Sequence, residues 1–162
     1  MFATAVYALS DCANLRRGET VLIHSGAGGV GIAAIQIAHL KGAEVFTTVS
    51  TPEKKDFLVK NLGVKPENVF NSRDSSFLPA VMSATNNRGV DVVLNSLIGD
   101  LLHDSFRTCA RFGRFVEIGK KDLTDAGRLD MQVFKRNVSY TAFDVSELCD
   151  VDDQKLSVVW TR

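Results

Sequence analysis

The chain has few of the residues that build disulfide frameworks and metal sites. Its 162 residues include three cysteines, three prolines and one tryptophan. Cys12, Cys109 and Cys149 lie far apart and form no C-x-x-C pair. This pattern argues against a disulfide scaffold and a zinc site, and it favours a reducing compartment, the cytoplasm. The simplest interpretation is that the three thiols are small buried hydrophobic groups.

An excess of charge of one sign is also missing. Nineteen lysines and arginines balance nineteen aspartates and glutamates, so no overall field attracts nucleic acid or an anionic membrane surface. No apolar run approaches the ~20 residues of a transmembrane helix. Residues 1–15 are apolar but lack the basic region of a secretion signal and contain Asp11, so we interpret them as an amphipathic helix. We therefore expect an intracellular protein that binds neither nucleic acid nor membrane.

Short apolar runs alternate with segments of helical periodicity along the chain. This rhythm predicts an α/β domain of repeated βαβ units around a doubly wound parallel sheet. The expected strand order is the Rossmann order 3-2-1-4-5-6, which places a ligand crevice at the carboxyl ends of the strands. The predicted strands are 20–24, 44–49, 68–70, 91–94, 114–118 and 138–143, and the predicted helices are 29–41, 53–62, 77–84 and 100–110.

The predicted nucleotide-binding domain covers residues 1–145. Residues 146–162 form a separate C-terminal segment, whose apolar part at 156–160 needs a partner surface. We interpret this segment as the truncated start of a return to a further domain. A short terminal strand on the same sheet is the alternative.

A glycine turn joins the first strand to the first long helix. Gly26, Gly28 and Gly31 satisfy the pattern G-x-G-x-x-G. In dinucleotide-binding folds these glycines permit a tight turn, the approach of backbone N–H groups to a pyrophosphate, and close packing of helix on strand. The helix then points its positive end at the anion. Such turns also occur as plain connectors. The predicted pyrophosphate site comprises Ser25, Gly26, Ala27, Gly28, Gly29, Val30 and Gly31.

The end of the second strand indicates which nucleotide binds. An NAD-binding fold carries an acidic residue roughly 20 positions past the glycines for the ribose hydroxyls, whereas this chain has Ser50 and Thr51. Short hydroxyl side chains leave room for a 2′-phosphate, which Lys54 or Lys55 can neutralise. This combination favours NADPH over NADH. Two alternatives stay open: Glu53 reaches the ribose, or the two lysines are solvated surface charge.

A further cation follows the third strand. Arg73 is a second candidate for the 2′-phosphate or for the face of the adenine. The alternative is a surface arginine that pairs with Asp74.

Three stretches of the sequence are more specific than a generic nucleotide fold requires. They are GETVLIHSGAGGVG at 18–31, GVDVVLNSL at 89–97 and GRFVEIGK at 113–120. Together they resemble the medium-chain dehydrogenase/reductase family, nearest the enoyl reductase domains of reducing polyketide synthases and animal fatty-acid synthases, with quinone oxidoreductases further off. The third stretch is the most specific, because a dinucleotide fold does not need Glu-Ile-Gly-Lys after a strand.

The resemblance implies hydride transfer from NADPH to the β-carbon of a trans-2-enoyl thioester on an acyl carrier protein, with protonation at the α-carbon. The enolate that forms needs a proton donor and stabilisation of its oxyanion. Lys120 matches the family lysine proposed as that donor; its alternative is a solvated lysine. Ser146 aligns with the family's other candidate, an aspartate. Asp144 lies two residues before Ser146, so on an extended chain the two side chains point to the same face. We expect Asp144 to take the place of the family aspartate; the alternative is that Asp144 forms a turn.

The resemblance also assigns the nicotinamide side of the site. It implies that Asn95, Ser96 and Leu97 border the nicotinamide ribose and that the backbone of Ile118 and Gly119 lines the carboxamide pocket. In this family the nucleotide-binding half is inserted into a second, GroES-like domain, which we do not find in this sequence. The expected partners are therefore the other domains of a multidomain synthase, and a homodimer is left open.

No metal is expected in the reaction. His24, His39 and His103 show no ligand spacing, which disfavours the zinc-dependent branch of the family. Several alternatives stay open: a stand-alone NADPH quinone or alkenal oxidoreductase, a nucleotide-binding fragment without activity of its own, and a structural domain that binds no nucleotide. A methyltransferase that uses S-adenosylmethionine also has a glycine-rich first turn, but it usually carries an acidic residue where Ser50 stands.

Overall fold

A computed structural model of the protein describes residues 1–151 and residue 157. The strands are β1 (Thr20–Ile23), β2 (Glu44–Val49), β3 (Val69–Asn71), β4 (Val90–Asn95), β5 (Cys109–Glu117) and β6 (Ser139–Ala142). The helices are α1 (Phe2–Val6), α2 (Gly29–Leu40), α3 (Pro52–Leu62), α4 (Phe77–Ala84), α5 (Asp100–Arg107), α6 (Lys121–Thr124) and α7 (Val145–Val151). Of the predicted C-terminal segment, 152–156 and 158–162 lie outside the described residues.

The strands form one parallel sheet in the order β3-β2-β1-β4-β5-β6. This is the predicted Rossmann order, so the predicted fold class is confirmed. The strand β1 pairs with β2 on one side and with β4 on the other. From β1 the chain adds β2 and β3 on one side, and it then crosses back to add β4 on the other side of β1. The carboxyl ends of β1 and β4 therefore flank the crevice where such folds bind ligands.

Side chains that alternate along each strand divide the core into two layers. On β1, Val21 and Ile23 pack with the helices α2 and α3, whereas Leu22 packs on the opposite face with α4 and α5. Because both faces are covered, the central strands contain continuous apolar runs rather than an alternation of apolar and polar residues. The helices thereby hold the sheet rigid at the edge where the crevice lies.

One pair of predicted boundaries is wrong, and a bulge is the reason. The prediction continued the fifth helix to residue 110 and began the next strand at 114, but α5 ends at Arg107 and β5 begins at Cys109. Cys109 pairs with Val90, and the register then shifts so that Val92 pairs with Arg114. Phe112 has a left-handed φ of 58° within this interruption. The stretch between the predicted helix and the predicted strand is thus a bulge inside a longer strand.

The other predicted strands and helices agree with the structure to within one residue at each end. The N-terminal stretch is helical, as predicted, but it divides into α1 and a π-helical segment at Tyr7–Cys12. Four short helical elements have no counterpart in the prediction: α6, α7 and two 3₁₀ segments at Pro66–Asn68 and Met131–Arg136. The strands β5 and β6 are joined by α6 and the second of these 3₁₀ segments, which are too brief to show a helical period.

The cysteines only partly match the interpretation as buried thiols. Cys109 is buried, and burial raises the pKa of its thiol to about 12. Cys12 is half-buried, and burial raises the pKa of its thiol to about 11. Cys149 is exposed, so the interpretation is wrong for that residue.

A buried histidine joins the sheet to the helix α5. His24 follows β1 and is 3% exposed. Its Nδ1 lies 2.9 Å from Thr48 Oγ1, and its Nε2 lies 2.7 Å from Ser105 Oγ. A neutral imidazole donates one of these hydrogen bonds and accepts the other. Burial lowers the pKa of His24 to about 3, so the fold holds it neutral.

The buried imidazole makes the stability of the fold depend on pH. The pKa of His24 is lower in the folded state than its ordinary value of 6.5, so its contribution is complete above that pH and is lost as the pH falls towards 3. The loss amounts to about 1.4 kcal/mol per pH unit. We expect the difference in unfolding free energy between wild type and His24→Gln to shrink by about 2 kcal/mol from pH 6.5 to pH 5, as measured by urea denaturation.

The matched control is His39→Gln, which changes an exposed histidine on α2. The decrease with falling pH should be larger for His24→Gln than for this control, because folding buries His24 and leaves His39 at the surface. A difference for His24→Gln that does not change with pH would contradict the assignment of a neutral, buried imidazole.

Candidate functional site

The glycine turn after β1 has a geometry that differs in one respect from the prediction. The left-handed residue is Ser25, with a φ of 54°, rather than Gly26. Gly26 is required for space, because a Cβ atom there would lie 2.1 Å from Thr47 Oγ1. The Thr47 hydroxyl in turn donates a hydrogen bond of 2.7 Å to the carbonyl of Ile23. The first glycine therefore lets β2 approach the turn closely.

The third glycine allows α2 to lie directly on the turn. A Cβ atom at Gly31 would lie 2.3 Å from the Ser25 carbonyl oxygen and 2.7 Å from Gly26 Cα. These are backbone atoms and cannot swing aside as a flexible side chain does. The same atom built at Gly28 would lie 3.2 Å from the Ser25 oxygen, which is a much milder contact.

The turn presents free backbone N–H groups to a cavity. The first intrahelical hydrogen bond of α2 runs from Ile32 N–H to the Gly28 carbonyl at 2.9 Å, so the amides of Gly29 to Gly31 have no acceptor within the helix. They lie at the positive end of a helix of 12 residues. The cavity measures about 340 Å³. Its lining comprises His24, Ser25, Gly28, Gly29, Val30, Gly31, Leu94, Ser96 and Ile118.

The structure brings most of the predicted pyrophosphate and nicotinamide residues to this cavity. The hydroxyl of Ser96 lies 3.4 Å from that of Ser25, so the ends of β4 and β1 meet there. Gly26 and Ala27 do not line the cavity; Ala27 packs against the core beside α2. The side chain of Met1 lies against Gly29, a contact that sequence reasoning did not predict.

A second cavity of about 380 Å³ lies beyond the carboxyl ends of β2 and β3. It is lined by Val49, Ser50, Thr51, Pro52, Lys55, Val69, Phe70, Asn71 and Arg73. Three residues predicted for the adenosine side, Ser50, Thr51 and Arg73, therefore share one cavity. Thr51 also caps α3, because its hydroxyl accepts a hydrogen bond of 3.3 Å from Lys54 N–H.

The cations around this second cavity differ in their contacts. Lys54 does not line it, but its Nζ donates a hydrogen bond of 3.1 Å to the Ser50 hydroxyl at its rim. Lys55 does line it, and its Nζ donates to the Val69 carbonyl at 3.3 Å. Asp74, the alternative partner of Arg73, accepts from Ser76 N–H at 2.9 Å. Hydrogen bonding with the Ser76 side chain and with Ser76 N–H holds the pKa of the Asp74 carboxyl below its ordinary value.

The loops after β4 and β5 are joined through Asn95. Its side-chain amide donates to the Leu97 carbonyl at 2.9 Å and to Glu117 Oε2 at 2.6 Å. Its Oδ1 accepts from Leu97 N–H at 3.3 Å. Asn95 is fully buried, and these contacts use both amide hydrogens. It therefore shapes the loop that carries Ser96 rather than presenting a free polar group.

Glu117 is the functional candidate that sequence reasoning missed. It is 2% exposed, and burial raises the pKa of its carboxyl to about 7. Besides Asn95, it accepts a hydrogen bond of 2.6 Å from Gly119 N–H on Oε1. The available signal was a carboxylate within an otherwise apolar strand end, since an acidic residue is seldom buried without partners.

The two predicted catalytic residues meet at the same edge of the sheet. Lys120 Nζ forms an ion pair with Asp144 Oδ2, although the residues are far apart in sequence. The hydrogen bond from Lys120 holds the pKa of the Asp144 carboxyl below its ordinary value. Asp144 Oδ1 also accepts from Ser146 N–H at 2.9 Å, so it forms a turn as well. The lysine side chain is 62% exposed, beside the loop that includes Ile118.

A doubly wound parallel sheet with amides at a glycine turn and two cavities along its carboxyl edge defines a Rossmann-type domain of the dinucleotide-binding class. The chain belongs to the zinc-binding dehydrogenase family, whose profile matches residues 29–151. This membership agrees with the resemblance stated from the sequence, which is thereby confirmed.

Polyketide synthases and their enoyl reductases are prominent among the relatives. A highly reducing polyketide synthase from Penicillium roqueforti, anuA, is 62% identical over 99% of this chain, which spans 8% of that protein. The nucleotide-binding subdomain of the enoylreductase domain of PpsC from Mycobacterium tuberculosis is 34% identical with a TM-score of 0.91, over 99% of this chain and 91% of that one. The CurK enoyl reductase is 42% identical with a TM-score of 0.86, over 99% of this chain and 46% of that one.

The described residues form neither a metal-binding cluster nor a membrane-spanning helix. The described part of the chain holds no group of three or more histidine, cysteine, aspartate or glutamate side chains placed to share a metal ion, despite the name of the family. No helix within residues 1–151 and 157 is long and apolar enough to cross a membrane. The expected absence of a metal from the reaction stays a prediction.

The seating of α2 on the turn predicts an unequal response to two similar substitutions. Gly31→Ala forces Cβ into the Ser25 carbonyl, so we expect the unfolding free energy to fall by roughly 1–3 kcal/mol despite the better helix propensity of alanine. Gly28→Ala, the matched control, should cost clearly less. Chemical denaturation measures both values, and equal losses would contradict the contact geometry.

Proposed function

We propose that this chain is the cofactor-binding portion of an NADPH-dependent enoyl reductase. The reaction is reduction of the α,β double bond of a trans-2-enoyl thioester, carried on an acyl carrier protein, during polyketide or fatty-acid biosynthesis. The observation that carries the proposal is the convergence of the glycine-turn amides, Ser96 and Ile118 on one cavity, with the Lys120–Asp144 ion pair at the same edge of the sheet. The likeness to enoyl reductase domains of polyketide synthases supports it.

The residues present fit a dinucleotide. The amides of Gly29 to Gly31 would hold the pyrophosphate, because unpaired N–H groups and the helix dipole favour an anion there. The nicotinamide would lie towards Ser96 and Ile118, on the other side of the first cavity. When bound, NADPH supplies the hydride. The protein contributes the fixed position of these groups.

The adenosine end would occupy the second cavity. Ser50 and Thr51 place two short hydroxyl groups where an acidic residue would repel a 2′-phosphate. Lys54, whose Nζ lies 3.1 Å from the Ser50 hydroxyl, and Arg73, which lines the cavity, supply positive charge. A phosphate between them would gain charge-assisted hydrogen bonds that the ribose hydroxyl of NADH cannot form as strongly.

Lys120 is the proposed proton donor. Hydride addition to the β-carbon leaves an enolate on the thioester, and the Lys120 ammonium would deliver a proton to its α-carbon. Asp144 holds that ammonium in place through their ion pair. The amine left behind would regain its proton from water, since the lysine side chain is 62% exposed.

The remainder of the enoyl reductase would complete the site. The chain spans 6–8% of the first curated relatives and 46% of the CurK enoyl reductase. We propose that a second, GroES-like domain provides the wall that faces the acyl chain and that the neighbouring synthase domains deliver the substrate in the cytoplasm. The isolated chain would then bind the cofactor and turn over little substrate.

Cofactor preference tests the adenosine end. We expect the wild-type chain to bind NADPH more tightly than NADH in a fluorescence titration. Lys54→Ala should weaken NADPH binding by roughly ten-fold, because it removes a charged hydrogen-bond donor to the 2′-phosphate, and should leave NADH binding unchanged. Lys60→Ala, on the exposed side of the same helix, is the control and should change neither. Equal wild-type affinities for the two cofactors would refute the assignment.

Turnover tests the proton donor. In a protein that carries the rest of the enoyl reductase domain, we expect Lys120→Ala to lower turnover of an enoyl thioester by roughly 100-fold or more, since a positioned general acid is lost. NADPH affinity should change far less. The control is Lys121→Ala, which removes the neighbouring lysine from its pair with Asp125. Unchanged turnover in Lys120→Ala would show that Lys120 is a solvated surface lysine.

A further inference from the structure

One buried carboxylate ties together the two loops that flank the nicotinamide side of the site. We infer that Glu117 is a positioning residue: it fixes the loop 118–120, and with it Lys120, against the loop 95–97. The inference rests on the proposed function, because it assigns to Glu117 a part in holding the nicotinamide half of NADPH. Glu117 itself does not line the cavity and is not proposed to touch the reacting atoms.

The geometry of the tie is direct. Asn95 and Glu117 are register partners at the carboxyl ends of the adjacent strands β4 and β5. One carboxylate oxygen accepts from the Asn95 amide and the other accepts from Gly119 N–H, both at 2.6 Å. The residues next to these two anchors, Ser96 and Ile118, line the first cavity. The backbone already joins these two walls through a hydrogen bond of 3.0 Å from Ile118 N–H to the Asn95 carbonyl, and Glu117 adds a side-chain tie beyond the end of the strand pairing.

The surroundings of Glu117 suit a glycine and a carboxylate. A Cβ atom at Gly119 would lie 2.8 Å from Glu117 Oε1, so a larger residue there would push against the carboxylate oxygen that accepts the Gly119 N–H. Burying a carboxylate is costly unless hydrogen-bond donors compensate it. Asn95 and Gly119 supply those donors. A side chain of the same shape with only one acceptor atom would leave one of them unpaired.

A second carboxylate ties the same two loops nearer the surface. Asp122, in the first turn of α6, accepts a hydrogen bond of 3.1 Å from Gly99 N–H on Oδ2. Burial raises the pKa of Glu117, the hydrogen bonds from Asn95 and Gly119 lower it, and the negative charge of Asp122 raises it again. Burial and the negative charge of Glu117 both raise the pKa of Tyr140 on β6. In sequence, Lys120 lies between Gly119, which is hydrogen-bonded to Glu117, and Asp122, which is hydrogen-bonded to Gly99. Both ends of the segment that carries Lys120 are therefore held by hydrogen bonds.

The test compares the whole cofactor with its adenosine half. Glu117→Gln keeps the volume of the side chain and one acceptor atom, but its amide group opposes the amide of Asn95. We expect this variant to bind NADPH roughly ten-fold more weakly than wild type, and to bind adenosine 2′,5′-bisphosphate, which lacks the nicotinamide, within about two-fold of the wild-type affinity. Glu67→Gln, at an exposed position in a 3₁₀ turn, is the control and should change neither affinity.

Exchanging the hydrogen-bond donor and acceptor between residues 95 and 117 should restore part of the NADPH affinity. A general loss of fold stability in Glu117→Gln would not be reversed by this exchange. In the double variant Asn95→Asp, Glu117→Gln, the glutamine donates to the aspartate and still accepts from Gly119 N–H, and the net charge equals that of wild type. We expect it to bind NADPH several-fold more tightly than Glu117→Gln alone. The recovery should be partial, because the Leu97 carbonyl loses the donor that Asn95 provides.

The outcomes separate this inference from the proposed function. A wild-type chain that binds neither NADPH nor the bisphosphate would refute the proposed function and the inference with it. If wild type binds both, an equal loss of both affinities in Glu117→Gln would overturn the inference alone, since Glu117 would then support the fold as a whole. Unchanged NADPH affinity, or a double variant no better than Glu117→Gln, would overturn it as well.

Discussion

The contact of α2 with the turn after β1 is the constraint on which the site depends. The Ser25 carbonyl and Gly26 Cα leave no room for a Cβ atom at Gly31, so the first turn of the helix lies directly on the backbone that leaves the sheet. This contact aims the free amides of Gly29 to Gly31 at the gap between β1 and β4. A helix that stood farther from the turn would still fold against the sheet, but its positive end would miss the cavity.

The remaining polar groups of the site are held by the same edge of the sheet. The first residue after each of β2, β4 and β5 lines a cavity. These residues are Ser50, which follows Val49, Ser96, which follows Asn95, and Ile118, which follows Glu117. Buried side chains fix these exits, since Thr47 bonds to β1 and Glu117 bonds to Asn95. The sheet therefore acts as the rigid frame, and the loops supply the groups that meet a ligand.

The fold was predictable because its signals are repeated, whereas the local details depend on single contacts. Apolar runs separated by helical periods predicted the strand order, and the glycine spacing located the turn. The bulge at Phe112 was not predictable, because helix and strand propensities overlap between 107 and 113 and only pairing with Val90 decides between them. The left-handed conformation of Ser25 and the tie through Glu117 depend on contacts between residues distant in sequence. Lys120 and Asp144 were proposed from a family resemblance, and their ion pair is visible only in three dimensions.

A crystal structure of this chain with NADPH bound tests the central claim most directly. The account predicts that the pyrophosphate oxygens lie within hydrogen-bond distance of the amides of Gly29 to Gly31, with the 2′-phosphate beside Ser50 and Lys54 and the nicotinamide ring next to Ser96 and Ile118. A cofactor bound at another face of the domain, or a glycine turn left empty at saturating NADPH, would contradict it.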